Sequence, residues 1–182
     1  MRISQTWLGP TSIKSETFIL KSNTVLNPQE FANDHKRYLA SIDAEPDEAA
    51  HWWHWQKDKV SEPGVGWVSL KLNDTQLMPL EAWTNVGGFW INLLGAIDNY
   101  LKTGAGFGGF SDEPDEFSII KKGEIALFTL RSSQHVVDPQ SFVSSLLDGA
   151  SNFYHWADTH IGTYPPSAIE NIDRMLNSLR SS

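Results

Sequence analysis

The spacing of apolar positions changes once, sharply, within residues 117–161. Residues 117–120 and 124–131 are rich in β-branched and aromatic side chains and are separated by Lys121-Lys122-Gly123, which predicts two strands and a tight turn. In the second strand Ile125, Leu127 and Thr129 face one way and Ala126, Phe128 and Leu130 the other. Both sets are largely apolar, so the strand is expected to be covered on both faces, or nearly so. Beyond it Phe142, Leu146, Phe153, Trp156 and Ala157 recur at about helical spacing. Asp138 suits the N-cap of this helix, Pro139 its first position, and Val137 can pack on Phe142 as a hydrophobic staple.

The same start occurs earlier. Val25-Leu26-Asn27-Pro28-Gln29-Glu30-Phe31 places cap, proline, glutamine and staple phenylalanine in the order of 136–142, and Glu30 completes a capping box with Asn27. The match is short, and good helix starts converge on these residues, so convergence is preferred to an internal duplication. Residues 3–8 and 16–21 read as strands around Gly9-Pro10 and Ser12, and a helix is predicted from 28 to about 42. His51, Trp52, Trp53, His54 and Trp55 form a short helix or an extended aromatic loop. Pro63-Gly64 marks a turn, and 67–72 alternates as a strand that ends at Asn73-Asp74. A wide apolar face (Phe89, Trp90, Leu93, Leu94, Ile97, Leu101) predicts a helix over 88–102 with its stop at Gly104. Residues 105–116, with four glycines between 104 and 109, read as loop. Beyond the breakers Gly162 and Pro165-Pro166, a capping box of Ser167 and Glu170 opens a last helix through 179, striped by Ile169, Ile172, Leu176 and Leu179. Together these predict one α+β domain over 1–182, an antiparallel sheet of about five strands with four or five helices packed mainly on one face.

Composition narrows the partners. A chain of 182 residues, 40 % apolar and 20 % charged, can bury a core without staples. It has no cysteine, which removes disulfides, thiolate metal sites and Cys nucleophiles and suits a reducing cytosol. Arg2 is followed by no apolar run, so no secretory signal is expected, and the mostly apolar 86–97 is shorter than the roughly 20 residues of a membrane helix. A formal net charge of −8 disfavours nucleic acid and favours a basic protein partner. Eight tryptophans point to burial at a core or an interface.

Three clusters invite chemistry. Glu48, His51 and His54 would share one side of a helix and could hold zinc, but the flanking tryptophans crowd them and the His-Glu-x-x-His pattern is absent. An aromatic packing cluster is the preferred reading, with no metal or cofactor. His155 and His160, five apart, suit surface or cap positions rather than one shared site. Gly104, Gly106, Gly108 and Gly109 follow a predicted helix and run into carboxylates, so they do not cradle phosphate. Asp112, Glu113, Asp115 and Glu116 are adjacent carboxylates without a cause for shifted pKa values, and no serine lies in a nucleophile elbow, so no catalytic residue is assigned. With Phe107 and Phe110 as apolar anchors, the four acids instead suggest a rim-and-anchor surface for a basic partner. Glu45, Asp47 and Glu48, leading into Trp52 and Trp55, repeat the combination.

In this general character, and in its strand–Val-Val-Asp-Pro–helix unit, the chain resembles bacterial immunity proteins of contact-dependent or polymorphic toxin systems. The resemblance implies a cytoplasmic, non-enzymatic, stoichiometric inhibitor of a cognate toxin, for example a nuclease. It carries over no residue by position. Two other classes stand beside it: a metal-dependent enzyme using the His51/His54 region, and a ligand-binding or structural domain with an aromatic pocket.

Overall fold

The computed structural model describes residues 13–21, 27–59, 62–110, 116–162, 164 and 167–180. The strand expected at 3–8, the turn around Gly9-Pro10 and Ser12, and the Val25-Leu26 staple lie outside these. The first sheet is organised on β1 (Ile13–Leu20). It pairs antiparallel with β3 (Val65–Leu72), from Ile13 opposite Leu72 to Ile19 opposite Gly66, and with β2 (Leu39–Ser41) at its C-terminal end. The two-residue strands β4 (Thr75–Gln76) and β5 (Thr84–Asn85) attach to opposite ends of β3. Asn73 and Asp74, both left-handed at φ 46° and 68°, close the turn between β3 and β4.

A second antiparallel sheet is a meander of β6 (Ala105–Gly109), β7 (Glu116–Lys122), β8 (Ile125–Leu130) and β9 (Ser133–Val137). The α+β class and an antiparallel sheet of five strands are as expected, but the strands read from the sequence are shared between two sheets: β1 and β3 lie in the first, β7 and β8 in this second sheet of four. The α-helices are α1 (Pro28–Asn33), α2 (Pro46–Lys57), α3 (Val86–Thr103), α4 (Pro139–His160) and α5 (Ser167–Arg180).

α3 and α4 touch both sheets. On α3, Trp90 donates to Thr17 Oγ1 of β1 at 3.0 Å, while Phe89 packs on Phe117 of β7. On α4, Phe142 meets Phe128 of β8 at 4.8 Å, and Gly149 seats the helix against Ser15 of β1, where a Cβ would come within 2.0 Å of Ser15 Oγ. The two helices thus form the layer between the sheets, and the buried side chains of all three layers join in one cluster.

Helix starts follow their caps. Asp138 accepts from Ser141 N at 2.9 Å and Asn27 from Gln29 N and Glu30 N at 3.1 Å. The reciprocal half of the Asn27 box is missing because Arg37 takes the Glu30 carboxylate. Gly104 ends α3 at φ 81°, the left-handed stop expected of it.

Three elements depart from the sequence reading. The helix from Pro28 ends at Asn33 rather than near 42, because Leu39, Ala40 and Ser41 pair with β1 and are buried there. Residues 105–109 form a strand, not a loop. A Cβ on Gly106 would lie 1.9 Å from the Ala96 carbonyl oxygen of α3, and one on Gly108 2.4 Å from the Phe117 ring. The glycines let this strand lie directly on the helix. β9, polar at Ser133, Gln134 and His135, was not foreseen as a strand.

Gln56, fully buried on α2, joins three segments with one amide. Its Nε2 donates to Leu20 O and Val65 O, both at 2.9 Å, and its Oε1 accepts from Gly64 N and Val65 N, both at 2.8 Å. Where β1 runs out, this side chain supplies β3 with the partner a strand would have supplied.

Candidate protein-binding surfaces

The 45–55 cluster is a helix. Pro46 opens α2, and its core side is Ala49, Ala50, Trp53 and Gln56. Helical spacing turns Glu48, Trp52 and Trp55 away from that side. Trp52 still leans on the core. Trp55 does not: it meets Trp52 edge-on at 5.5 Å and lies under the Lys59 ammonium, 6.0 Å from the ring centroid. His51 packs edge-on against Trp52, and the ring nitrogen Nε2 of His54 lies 3.4 Å from the His160 carbonyl oxygen on α4. With Glu48 held elsewhere by Lys21, the three groups of the suggested zinc site have three separate partners. No group of three metal-binding side chains occurs among the described residues.

The acids gather at the N-terminal end of α2, where the helix dipole favours them. Glu45 and Asp47 are exposed, and Asp47 lies 3.6 Å from His160 Nε2. Lys21, 2.9 Å from Glu48, holds that carboxyl below the usual range. Partial loss of water, with the Glu16 carboxylate nearby, pushes the Asp43 carboxyl up. Ser41 Oγ orders the approach to the helix: it donates to Glu16 Oε1 at 2.7 Å and accepts from Asp43 N and Ala44 N. Asp43, Lys21 and Lys59 were missed as parts of this surface; only the run of acids before Trp52 signals it in the sequence.

The 107–116 stretch is divided. Phe107 is 66 % exposed on β6, and Glu116 is exposed at the start of β7 on the same face of the sheet. Phe110 is only 7 % exposed, stacked on Phe89 at 5.5 Å and edge-on to Phe117 at 6.0 Å. It is a core residue and not a surface anchor. Asp112, Glu113 and Asp115 fall outside the described residues.

Phe107 belongs to a wider face that sequence reasoning took to be covered. Ala126, Phe128 and Leu130 of β8 are buried against the helices as expected, but Ile125, on the other side, is 38 % exposed, and Leu127 and Thr129 are only partly buried. Neighbouring Val136 on β9 is 43 % exposed. The apolar alternation was visible; its meaning on the outer face was misread.

A cleft of about 540 Å³ lies between α1 and 76–83, lined by Phe31, Pro79, Leu80 and Trp83 among others. Trp83 meets Phe31 edge-on at 5.1 Å, and its buried Nε1 has no hydrogen-bond partner among the described residues. No helix among the described residues is long and apolar enough to cross a membrane. In comparison with known proteins, the chain matches no family model, no curated protein and no solved structure.

Proposed function

We propose that the chain is a protein-binding module that neutralises a cognate basic toxin, for example a nuclease, by stoichiometric binding through the 45–55 surface. The observation that carries this reading is Trp55, a large aromatic side chain on the outward side of α2 that is covered by Trp52 and Lys59 instead of by the core. It stands on the helix whose N-terminal end carries Glu45 and Asp47. An aromatic anchor about two turns along the helix from a carboxylate rim offers the two parts of a tight interface: the ring holds the complex, and the rim steers and selects a cationic partner. The first-turn acids are placed by the rigid helix, not by a loop. Of the two expected surfaces this one carries its acids and rings on a single helix, whereas the 107–116 stretch gives Phe110 to the core.

The test pairs the tagged chain with a catalytically silenced product of the gene immediately upstream. The two should co-purify as a one-to-one complex. Trp55→Ala should raise the dissociation rate about tenfold, and Glu45→Gln with Asp47→Asn should slow association and flatten its salt dependence. The reading falls if the neighbouring product is not bound, or if it is bound unchanged by both sets of substitutions.

A further inference from the structure

We infer that the outer face of the second sheet is covered by the same face of a second copy of this chain, related by a two-fold axis that crosses the strands. Phe107, Ile125 and Val136 are three of the four exposed large apolar side chains among the described residues. All three point outward from this one sheet, with Ile120 and Leu127 between them. The buried side of the sheet is already occupied by α3 and α4, so among the described residues the apolar outward rows pack against no other element.

The charges identify the occupant. A face built for a basic toxin would be acidic, as the chain is at large with its net −8. Among the described residues this face is balanced instead. The outward row of β7 reads Glu116, Ser118, Ile120, Lys122, with an exposed acid at one end and an exposed cation at the other. A two-fold axis perpendicular to the strands reverses that row on its partner, so Glu116 of one copy meets Lys122 of the other, twice over. The alternative in-plane axis, along the strands, would bring the Glu116 ends together.

Steric pairing favours the same axis. One outward row runs Ala105, Ile120, Leu127, Val136 across the four strands, and the next runs Phe107, Ser118, Thr129, Gln134. Reversal lays one row on the other. The exposed ring of Phe107 then covers Ala105, and Ile120 and Leu127 cover Ser118 and Thr129, so large meets small as packing between sheets requires. Four strands about 4.8 Å apart, and a row of about 20 Å, give a footprint of roughly 400 Å² per copy. That is about half the area of a standard stable interface, so the dimer is a weak one that forms as concentration rises.

Sedimentation equilibrium over a wide concentration range, up to the millimolar level, tests this directly. The parent chain should pass from monomer to dimer. Glu116→Lys alone, and Lys122→Glu alone, should each weaken the dimer about tenfold by setting like charges opposite each other at two places. The double substitution should restore it to within about threefold of the parent, an outcome that only pairing with a copy of itself produces. Phe107→Ser should weaken it at least tenfold while leaving thermal unfolding unchanged, since the side chain is largely outside the core. Trp55→Ala should leave the dimer intact, which separates this inference from the toxin-binding reading. A chain that stays monomeric throughout, or a double substitution that fails to restore association, overturns the proposal. So does a Phe107→Ser variant that loses affinity for the upstream gene's product while the parent remains monomeric.

Discussion

Replacing Gln56 with Leu should be among the most damaging single changes available on α2, although it removes only a polar group from an apolar setting. The Leu side chain keeps much of the volume and makes none of the four hydrogen bonds. Leu20 O and Gly64 N are then left buried without a partner, while the groups of Val65 lie closer to solvent and recover part of their bonding from water. An orphaned buried backbone group costs about 1–3 kcal/mol, so the two together set a loss of about 2–6 kcal/mol, a large share of the roughly 5–15 kcal/mol by which such domains are stable. Gln56→Glu separates donor from acceptor. Its carboxylate still accepts from Gly64 N and Val65 N but faces the carbonyl oxygens of Leu20 and Val65 with no proton to offer. Burial and those carbonyls raise the pKa of the new acid in the folded state above its unfolded value. The folded state then binds the proton more tightly, so this variant should gain stability as pH falls from neutral, relative to the parent. Urea unfolding followed by circular dichroism measures both, with the shift read in the midpoint at constant slope. A Gln56→Leu midpoint within about 0.5 kcal/mol of the parent would mean that the amide does not join these segments.

Three further outcomes follow from the fold. Phe110→Ala should cost about 3–5 kcal/mol in urea unfolding, because the ring is packed between Phe89 and Phe117; a surface residue would cost next to nothing. Asp138→Ala should cost about 1 kcal/mol in the same assay, by removing the cap that holds Ser141 N and Ser141 Oγ; unchanged stability would mean that α4 does not depend on that cap. Asp98→Asn should give a pH-dependent effect. The Lys102 ammonium, with Arg174 beside it, holds the Asp98 carboxyl below its ordinary value. Its contribution, at most about 1 kcal/mol for so exposed a network, is therefore present above the unfolded carboxyl pKa and lost as pH falls through the lower folded one. Unfolding curves of parent and variant should differ at neutral pH and converge in strong acid; a constant gap would refute the ion-pair account.

Much of the frame could be read from local signals. Asp138-Pro139, the apolar face of 88–102, Gly104, and Ser167 with Glu170 each act within a few residues of themselves, and the helices begin or end close to where those residues place them. What was illegible depends on partners distant in the chain. β6 looks like a glycine loop until α3 is known to lie beneath it, and nothing near Gly106 announces Ala96. Gln56 looks like a solvated residue beside three tryptophans, because Leu20 and Val65 arrive from other strands. The 45–55 surface was visible as a juxtaposition of acids and rings. The division of 107–116 was not, since Phe107 and Phe110 have the same chemistry and only the strand between them sends one outward and the other inward.

The contrast between the two sheets bears on the order in which the molecule assembles. The meander from β6 to β9 pairs neighbours in the chain, and its last two turns, at Gly123-Glu124 and Arg131-Ser132, leave almost no chain to be closed. β1 must instead wait for β3, since Ile13 pairs with Leu72 across α1, β2 and α2. Loop closure over such a span is slow compared with zipping a hairpin. The second sheet, with α3 and α4 on its inner side, should therefore gain amide protection first in pulse-labelled hydrogen exchange, with β1 and β3 following. On the ribosome this order runs against synthesis, which delivers β1 long before its supporting helices. Among the described strands, β1 is thus the one that stays longest without its main partner.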